Sequence, residues 1–542
     1  MDVHLRRKST GPARTTTLWR IFPKFTASSA CFIATVFVIF AQTALAKTFY
    51  VSTSGKDSNA GTISKPWRTI RHAANAVAAG DTVYVRAGVY NELVSIPKSG
   101  SASGGTITFS SYTGELAVID GTGLPIPEGQ WGLVTIENRS YIIIRGFEIR
   151  NYKTKSAQVP IGLYIFGAGT NISVLNNHIH NIETEGATCS GANALGLAAY
   201  GTSAPASINN LTISGNQIDH TSTGCSETLT VDGNVENFRI TDNIIHDTDN
   251  IGIDAAGYYG VAPAGSKCGT QLCDRARYGQ IRGNTIYNIT SNHNPAYGPG
   301  IDNHSYGADG IYVDGGTQIV IERNLVHNTD IGIELASENP GNEAPGREKT
   351  DFVVVRNNVI HHSNAPGITI GGYADSGPGG GGTDRCSILN NTLFANNTAN
   401  TGAGEFQIQY HATGNIFENN IIYAGAQGLF INDFTASEPN PARPDYNLYF
   451  SSAGASEGTW IWQGSTYTGY SSYRSKTGND SNSRKFLDPQ FVSASHLNFD
   501  IKSSSPAENA GVNPGAGAAG TVDFAGNPRT RYGLINIGAY ER

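Results

Sequence analysis

Charge is scarce in this chain, and neither sign prevails by much. Lysine and arginine number 37, aspartate and glutamate 44, for a formal net charge of −7 over 542 residues. That balance gives no reason to expect the basic face a nucleic-acid-binding protein needs. Methionine occurs once, and helix-forming residues are sparse, which argues against a helical domain. Long apolar runs are also missing. The run from Cys31 to Ala41 is too short to cross a bilayer comfortably, and no later segment is a better candidate. Cysteine is limited to six residues, and no spacing among them matches a zinc site.

What is abundant points to strands joined by tight turns: glycine reaches 65 residues, and asparagine recurs throughout. A basic region with Arg6, Arg7, Lys8, Arg14, Arg20 and Lys24 precedes the Cys31–Ala41 run, and Ala44-Leu45-Ala46 offers small residues for cleavage. Residues 1–46 are therefore predicted to be a signal peptide, with an uncleaved anchor as the alternative. The mature chain is expected to be secreted, periplasmic or at the cell surface, free of the membrane after cleavage. Export fits two disulfides, Cys189 with Cys225 and Cys268 with Cys273, leaving Cys386 as a lone core residue.

Residues 47–104 read as an N-terminal capping module. Trp67, Ile70, Ala73, Ala74 and Val77 recur at helical spacing behind Pro66, and a short amphipathic helix there would cover the open end of a coil. From 105 to 435 one phrase recurs. Its first half is NNHIHN at 176–181, GNQIDH at 215–220, RNLVHN at 323–328 and NNIIYA at 419–424, among others. Its second half is a glycine followed by alternating apolar residues, as in GLAAY at 196, GIDAA at 252, GIYVD at 310 and GIELA at 332. Strands this short cannot bury an apolar side alone, so stacking into a parallel coil is the physical solution. Asparagine suits the turns because it tolerates left-handed backbone, and stacked copies form ladders. Residues 436–542 change in composition and read as the end of the coil and its cap.

Side chains alternate along a strand, so alternate positions of the glycine-led half point outward. Aligned on the glycine, the first outward position holds Tyr164, Ala198, Thr230, Asp254, Tyr312, Glu334, Thr369, Gln407 and Phe430. The second includes Tyr200, Asp232, Asp314 and Asn432. Acids occur only in the middle copies. Clustered carboxylates repel unless a cation holds them, and Ca²⁺ suits oxygen ligands. Asp254, Asp309, Asp314 and Glu334 are the expected metal ligands. Insertions at 257–277, 290–308, 338–350 and 372–384 should flank this stripe and leave a groove. Arg275, Arg277, Arg356, Tyr258 and Tyr373 are the expected substrate-binding residues, for an acidic polysaccharide. β-Elimination of a uronic acid needs its carboxylate neutralised, a base for the C5 proton and an acid for the leaving oxygen. Lys349 is the expected base, Arg347 the neutralising cation, and Tyr312 or His304 the donor.

The module KTFYVSTSGKDSNAGTISKPWRTIRHAANAVAAGDTVYVRAG, the repeat, and the endings DFAGNPR and IGAYE together resemble the secreted right-handed parallel β-helix (pectate-lyase-like) proteins, including bacterial polysaccharide lyases. The resemblance implies an all-β right-handed parallel β-helix with a short N-terminal capping helix. It also implies Ca²⁺ held by acids on successive coils, an arrangement that Asp254, Asp309, Asp314 and Glu334 fit. The paired-aspartate segments of β-helix polygalacturonases and the DPHE-type signature of alginate epimerases are absent. Three readings follow: a Ca²⁺-assisted polysaccharide lyase, a glycoside hydrolase using paired carboxylates such as Asp314 and Glu334, and a non-catalytic carbohydrate-binding or surface solenoid.

Overall fold

Each repeat carries three short apolar stretches, and each becomes a strand paired in parallel with its copies in the coils above and below. A computed structural model describes residues 45–129, 131–186, 193–297, 305–339, 348–436, 438–453, 458–484 and 486–542. Among these, three faces of 14, 12 and 13 strands run along the solenoid. The asparagine-rich turn joins the first face to the second, which carries the I-H-N strands. The glycine-led strands form the third face. Alternation works as the sequence implies: Val231, Ala255, Ile311, Val313, Ile333 and Leu335 point into one continuous core and are fully buried. The expected signal peptide lies outside the described residues apart from its last two positions.

The turn after the first face shows why asparagine repeats. Asn177, Asn216, Asn243, Asn284, Asn324, Asn358, Asn391, Asn420 and Asn447 stack in a buried ladder. The side-chain amide of each donates to the carboxamide oxygen of the next, and that oxygen also accepts the preceding asparagine's backbone N–H, as between Asn284 and Asn324 at 2.9 Å. The residue just before each rung has positive φ: 52° at Asn176, 57° at Asp242 and 56° at Asn357. Asparagine and aspartate tolerate that conformation, and glycine adopts it freely. On the second face the histidines of the repeat stack as rings. Centroids lie 4.7, 5.1 and 4.8 Å apart along His246, Tyr287, His327 and His361. These residues are structural, as the turn pattern implies.

The two ends differ from the sequence expectation. Residues 47–104 form no separate module, because their strands already enter all three faces. The helix there spans Ile70–Ala76, and its N-cap is Thr69, whose hydroxyl accepts from the His72 N–H at 3.1 Å. Trp67 lies before the helix and stacks on Phe49 at 4.6 Å. At the far end, the strand Thr459–Trp462 turns into an antiparallel strand and then the helix Tyr470–Thr477. Trp460 is stacked between Phe430 and Tyr473 there, at 4.6 and 5.3 Å. The tail beyond 487 is not an end cap. It runs back along the outside, where Phe491, Phe499, Ile501 and Ile537 pack on Val359, Phe394, Ile421 and Leu448 of the second face.

Candidate functional site

The outward columns of the third face have a defined register. Thr230 pairs with Asp254, Asp254 with Tyr312, Tyr312 with Glu334, and Glu334 with Thr369. Tyr200 pairs with Asp232 in the next column. Neighbouring strands lie about 4.8 Å apart, so these groups form a stripe along the axis. The glycine alignment fails in one copy. Gln407 pairs with Asn432, not with Phe430, and Phe430 is fully buried because it packs under Trp460 at the closing end.

Every acid of the stripe is buried. Asp232, Asp254, Asp309, Asp314 and Glu334 are all less than a tenth exposed. Burial pushes the Asp232 carboxyl up to about 7, aided by nearby Asp274. Burial lifts Asp254 and Asp314 well above the carboxylate range, and Glu227 and Glu338 respectively are the strongest charges that add to it. Asp309 is raised the same way beside Glu334, to which it is hydrogen-bonded. Asp232 Oδ1, Asp254 Oδ1 and Asp309 Oδ1 are buried with no hydrogen-bond partner, although buried oxygens normally find one. Among the described residues, no lysine or arginine forms an ion pair with these acids.

Insertions frame the stripe. The loop after the Asp254 strand is closed by the Cys268–Cys273 disulfide. Asp274 ties it down by accepting from the Gly260 and Ala262 N–H groups at 2.6 and 2.7 Å. It places the Tyr259 hydroxyl as donor to Asp314. Buried Asp330 anchors the insertion before Asp309, accepting from the Ser291 and Ala308 N–H groups at 2.7 and 3.2 Å. Half-exposed Tyr373, on the loop after Ile368–Ile370, has Glu338, Asp314 and Glu334 as its charged neighbours. Cys225 is disulfide-bonded, whereas Cys189, its expected partner, lies outside the described residues. Cys386 is free and buried.

Several residues read as functional have structural work instead. Arg275 is buried and donates to the carbonyls of Gly315, Gly316 and Lys349, each at 2.9 Å, and to Asp351 at 2.8 Å. Tyr258 lies under its guanidinium, 5.0 Å from ring centroid to Cζ, and so is turned from the stripe. Gly315 has φ 82°, and a Cβ there would meet the Tyr258 ring at 2.7 Å, so only glycine fits. Arg277 clamps Asn234 and Glu236 at 2.8 and 2.9 Å. Lys349 donates to the His411 carbonyl at 2.9 Å and to Thr413 at 3.0 Å, and the charges acting on it are Asp384 and Glu438. It is not directed at the stripe. Arg356 pairs with Glu322 at 2.8 Å and holds the returning tail through the Gly517 and Ala518 carbonyls. Arg356→Ala should therefore speed amide exchange in residues 516–522 roughly tenfold, about 1.4 kcal/mol of local stability, while exchange at the stripe stays unchanged. Equal exchange in both proteins would show that the tail is held without it.

Tyr312 sits between Asp254 and Glu334, 3% exposed. Its phenol is raised far above its ordinary range by burial, then by Asp314 and Glu338. His304 and Arg347 lie outside the described residues. Two acids escaped the sequence reading. Glu227 stands two residues before inward Leu229, and Thr228 replaces the glycine that marks this strand elsewhere. Glu338 follows the strand Ile331–Ala336, and its N–H donates to Asp314 at 2.7 Å. The position just before the glycine, where Asp309 stands in its copy, would have marked the first; nothing in the repeat marks the second.

A family-model match agrees with this architecture over its first half. The model for the Pel9A-like right-handed β-helix region matches residues 49–259. The uncharacterized protein YwoF of Bacillus subtilis is 36% identical over 460 residues, 84% of this chain and 91% of that one. Pectate lyase PEL9 of Emericella nidulans is 30% identical over 185 residues, 31% of this chain and 43% of that protein. The crystal structure of pectate lyase Pel9A superimposes with a TM-score of 0.46 at 14% identity, over 92% of this chain and 96% of that one. No helix among the described residues is long and apolar enough to cross a membrane. Matched to YwoF over most of both chains, the chain belongs to the same family as that protein, and its residues 49–259 are a Pel9A-like right-handed β-helix region.

Proposed function

We propose that the chain is a secreted carbohydrate-active enzyme, a Ca²⁺-assisted lyase that cleaves an acidic polysaccharide by β-elimination at the third-face stripe. The observation that carries this reading is a row of buried carboxyl groups with orphaned oxygens and no paired arginine or lysine among the described residues. Such a row is costly unless a cation completes it. Among the described residues, no three acids or histidines already converge as a ligand set, so Asp254, Asp309, Asp314 and Glu334 would turn toward the ion on binding. Their hard oxygen donors suit Ca²⁺. Bound there, the ion supplies the charge that neutralises a uronate carboxylate and makes the adjacent C5 proton acidic.

The chain's own groups supply the rest. Asp232, poised near neutrality, takes the C5 proton, since a base works best with a pKa near the working pH. The C5 electrons form the C4–C5 double bond as the C4–O bond breaks. Tyr312, or His304 from the flanking insertion, donates a proton to the leaving oxygen. Arg347 adds positive charge. Half-exposed Tyr259, Tyr297 and Tyr373 rim the site and exclude water from it. The helix Ile70–Ala76 covers the first coil in the same reading.

The test is direct. Fed polygalacturonate or alginate with CaCl₂, the protein should release unsaturated products with ultraviolet absorbance, and a chelator should abolish that release. Asp232→Asn should lower kcat at least a hundredfold yet keep Ca²⁺-dependent thermal stabilisation. Reducing ends without ultraviolet absorbance would establish hydrolysis by paired carboxylates, and no turnover on either polymer would leave a binding module.

A further inference from the structure

The acid stripe does not end at Asp232. In the two preceding coils the same outward columns carry aromatic rings, and Trp131 lies just before the strand of the coil before those. Glu137, Phe166, Tyr200 and Asp232 follow one another in register, as do Thr135, Tyr164, Ala198, Thr230 and Asp254. Tyr164 stacks on Phe166 with centroids 4.6 Å apart and on Trp131 at 6.2 Å, and meets Tyr200 edge-on at 5.7 Å. Tyr164, Ile161, Leu195 and Ala198 form an apolar cluster separate from the solenoid core, with Trp131, Phe166 and Tyr200 packed against it, half-buried. An apolar cluster on the outside of a solenoid fills no interior and leaves ring surface facing out. Its last ring touches the proposed reaction centre: Glu227, Asp232 and Asp254 are the acids whose charge acts on the Tyr200 phenol.

Beyond the acids the face changes again. Thr369, Gln407 and Asn432 occupy the column after Glu334, and Gln409 donates to Gln407 at 3.2 Å. The oxygens Thr369 Oγ1, Gln409 Oε1 and Asn432 Oδ1 are buried and without partners. The face therefore reads, along the axis, as rings, then acids, then neutral hydrogen-bonding groups.

We propose that Trp131, Phe166 and Tyr200 are binding subsites for sugar rings of the acidic polysaccharide, whose chain lies along the solenoid axis and continues past the acids onto the Thr369–Asn432 row. This rests on the reading of the third face as the reaction site. Flat aromatic faces hold the apolar face of a pyranose ring with little loss of side-chain freedom. The columns advance by one strand spacing per coil, about 4.8 Å, so successive sugars meet successive rings. Contacts on both sides of the acids mean that the bond broken lies inside the chain, and the enzyme is endo-acting.

The experiment measures binding as well as turnover, so the two readings fail separately. Affinity electrophoresis in polygalacturonate or alginate, with dextran as a neutral probe, should retard the wild-type chain in at least one acidic polymer and not in dextran. Trp131→Ala and Phe166→Ala should each weaken that retardation roughly tenfold. Where the polymer is cleaved, the loss should appear in KM rather than kcat, and only on substrates long enough to reach the rings. Phe166→Leu keeps the bulk without the ring plane and guards against a folding defect; it should bind as poorly as Phe166→Ala at the wild-type melting temperature. Products of intermediate length should precede small oligomers. Binding with ring-dependent affinity but no cleavage would leave the subsites standing and remove the lyase reading. Wild-type affinity in folded ring variants, or no retardation in either acidic polymer, would overturn the subsites.

Discussion

Asn324→Ala is expected to destabilise the protein by about 5–7 kcal/mol, one of the two largest effects the structure implies. The Asn324 amide donates to the Ile281 carbonyl and to Asn358 Oδ1, each at 3.0 Å, and its oxygen accepts the backbone and side-chain N–H groups of Asn284. Four bonds at about 1 kcal/mol each are lost, and two buried donors on Asn284 are left without acceptors, which adds about 1–3 kcal/mol. Water cannot compensate at a fully buried rung. The comparison is Asn328→Ala, four residues on, where the side chain is exposed and the backbone has φ 53°. That change should cost about 1 kcal/mol, mostly from putting alanine in a left-handed conformation. Urea midpoints at equal slope report both values. A loss under 1 kcal/mol for Asn324→Ala would mean that the ladder adds little beyond the sheet hydrogen bonds.

The second large effect is a reversed pH dependence. Acids that are ion-paired in a fold normally stabilise it as pH rises. Here the folded carboxyls are raised above their unfolded values, Asp232 to about 7 and Asp254 and Asp314 further. Their protonated forms are favoured in the fold. The stability they contribute is complete below about pH 4 and is lost as pH rises through 7 and beyond, because the unfolded chain releases those protons first. With chelator present, the urea midpoint should fall between pH 5 and pH 8 by a few kcal/mol. CaCl₂ should restore it at pH 8 and change little at pH 5. Glu405, Asp433, Asp480 and Glu541 are raised too, so the slope must be compared with that of Asp232→Asn and Asp314→Asn, which should be flatter. A chelated protein as stable at pH 8 as at pH 5 would show that the stripe ionises at no cost and needs no cation.

The periodic part of this molecule was legible because short-range rules govern it. A strand's alternation decides which side chain faces out, so Asp254, Tyr312, Asp314 and Glu334 could be placed before any coordinates. The asparagine turns were legible for the same reason. The arginines were not. A cationic side chain on a loop looks the same whether it meets solvent or a carbonyl 40 residues away, and Arg275 reaches Gly315 while Arg356 reaches Gly517. The tail misled differently: its apolar residues show that something is covered, but not whether it is the end of the coil or its side. Phe430 slipped because the closing coil is filled by rings larger than the aliphatic residues below it.

The asparagine ladder has a direction. From rung to rung, each side-chain amide donates to the next, C-terminal carboxamide and accepts from the one before, so nine amide dipoles add head to tail and polarise one another. Such a row accumulates positive potential at its donor end. There Asn447 donates to Asp480 Oδ1 at 3.2 Å, a buried carboxyl that also accepts from the Tyr449 hydroxyl at 2.9 Å. The solenoid thus behaves as a rod with a built-in electrical polarity, and the closing segment brings an acid, Asp480, to its positive pole.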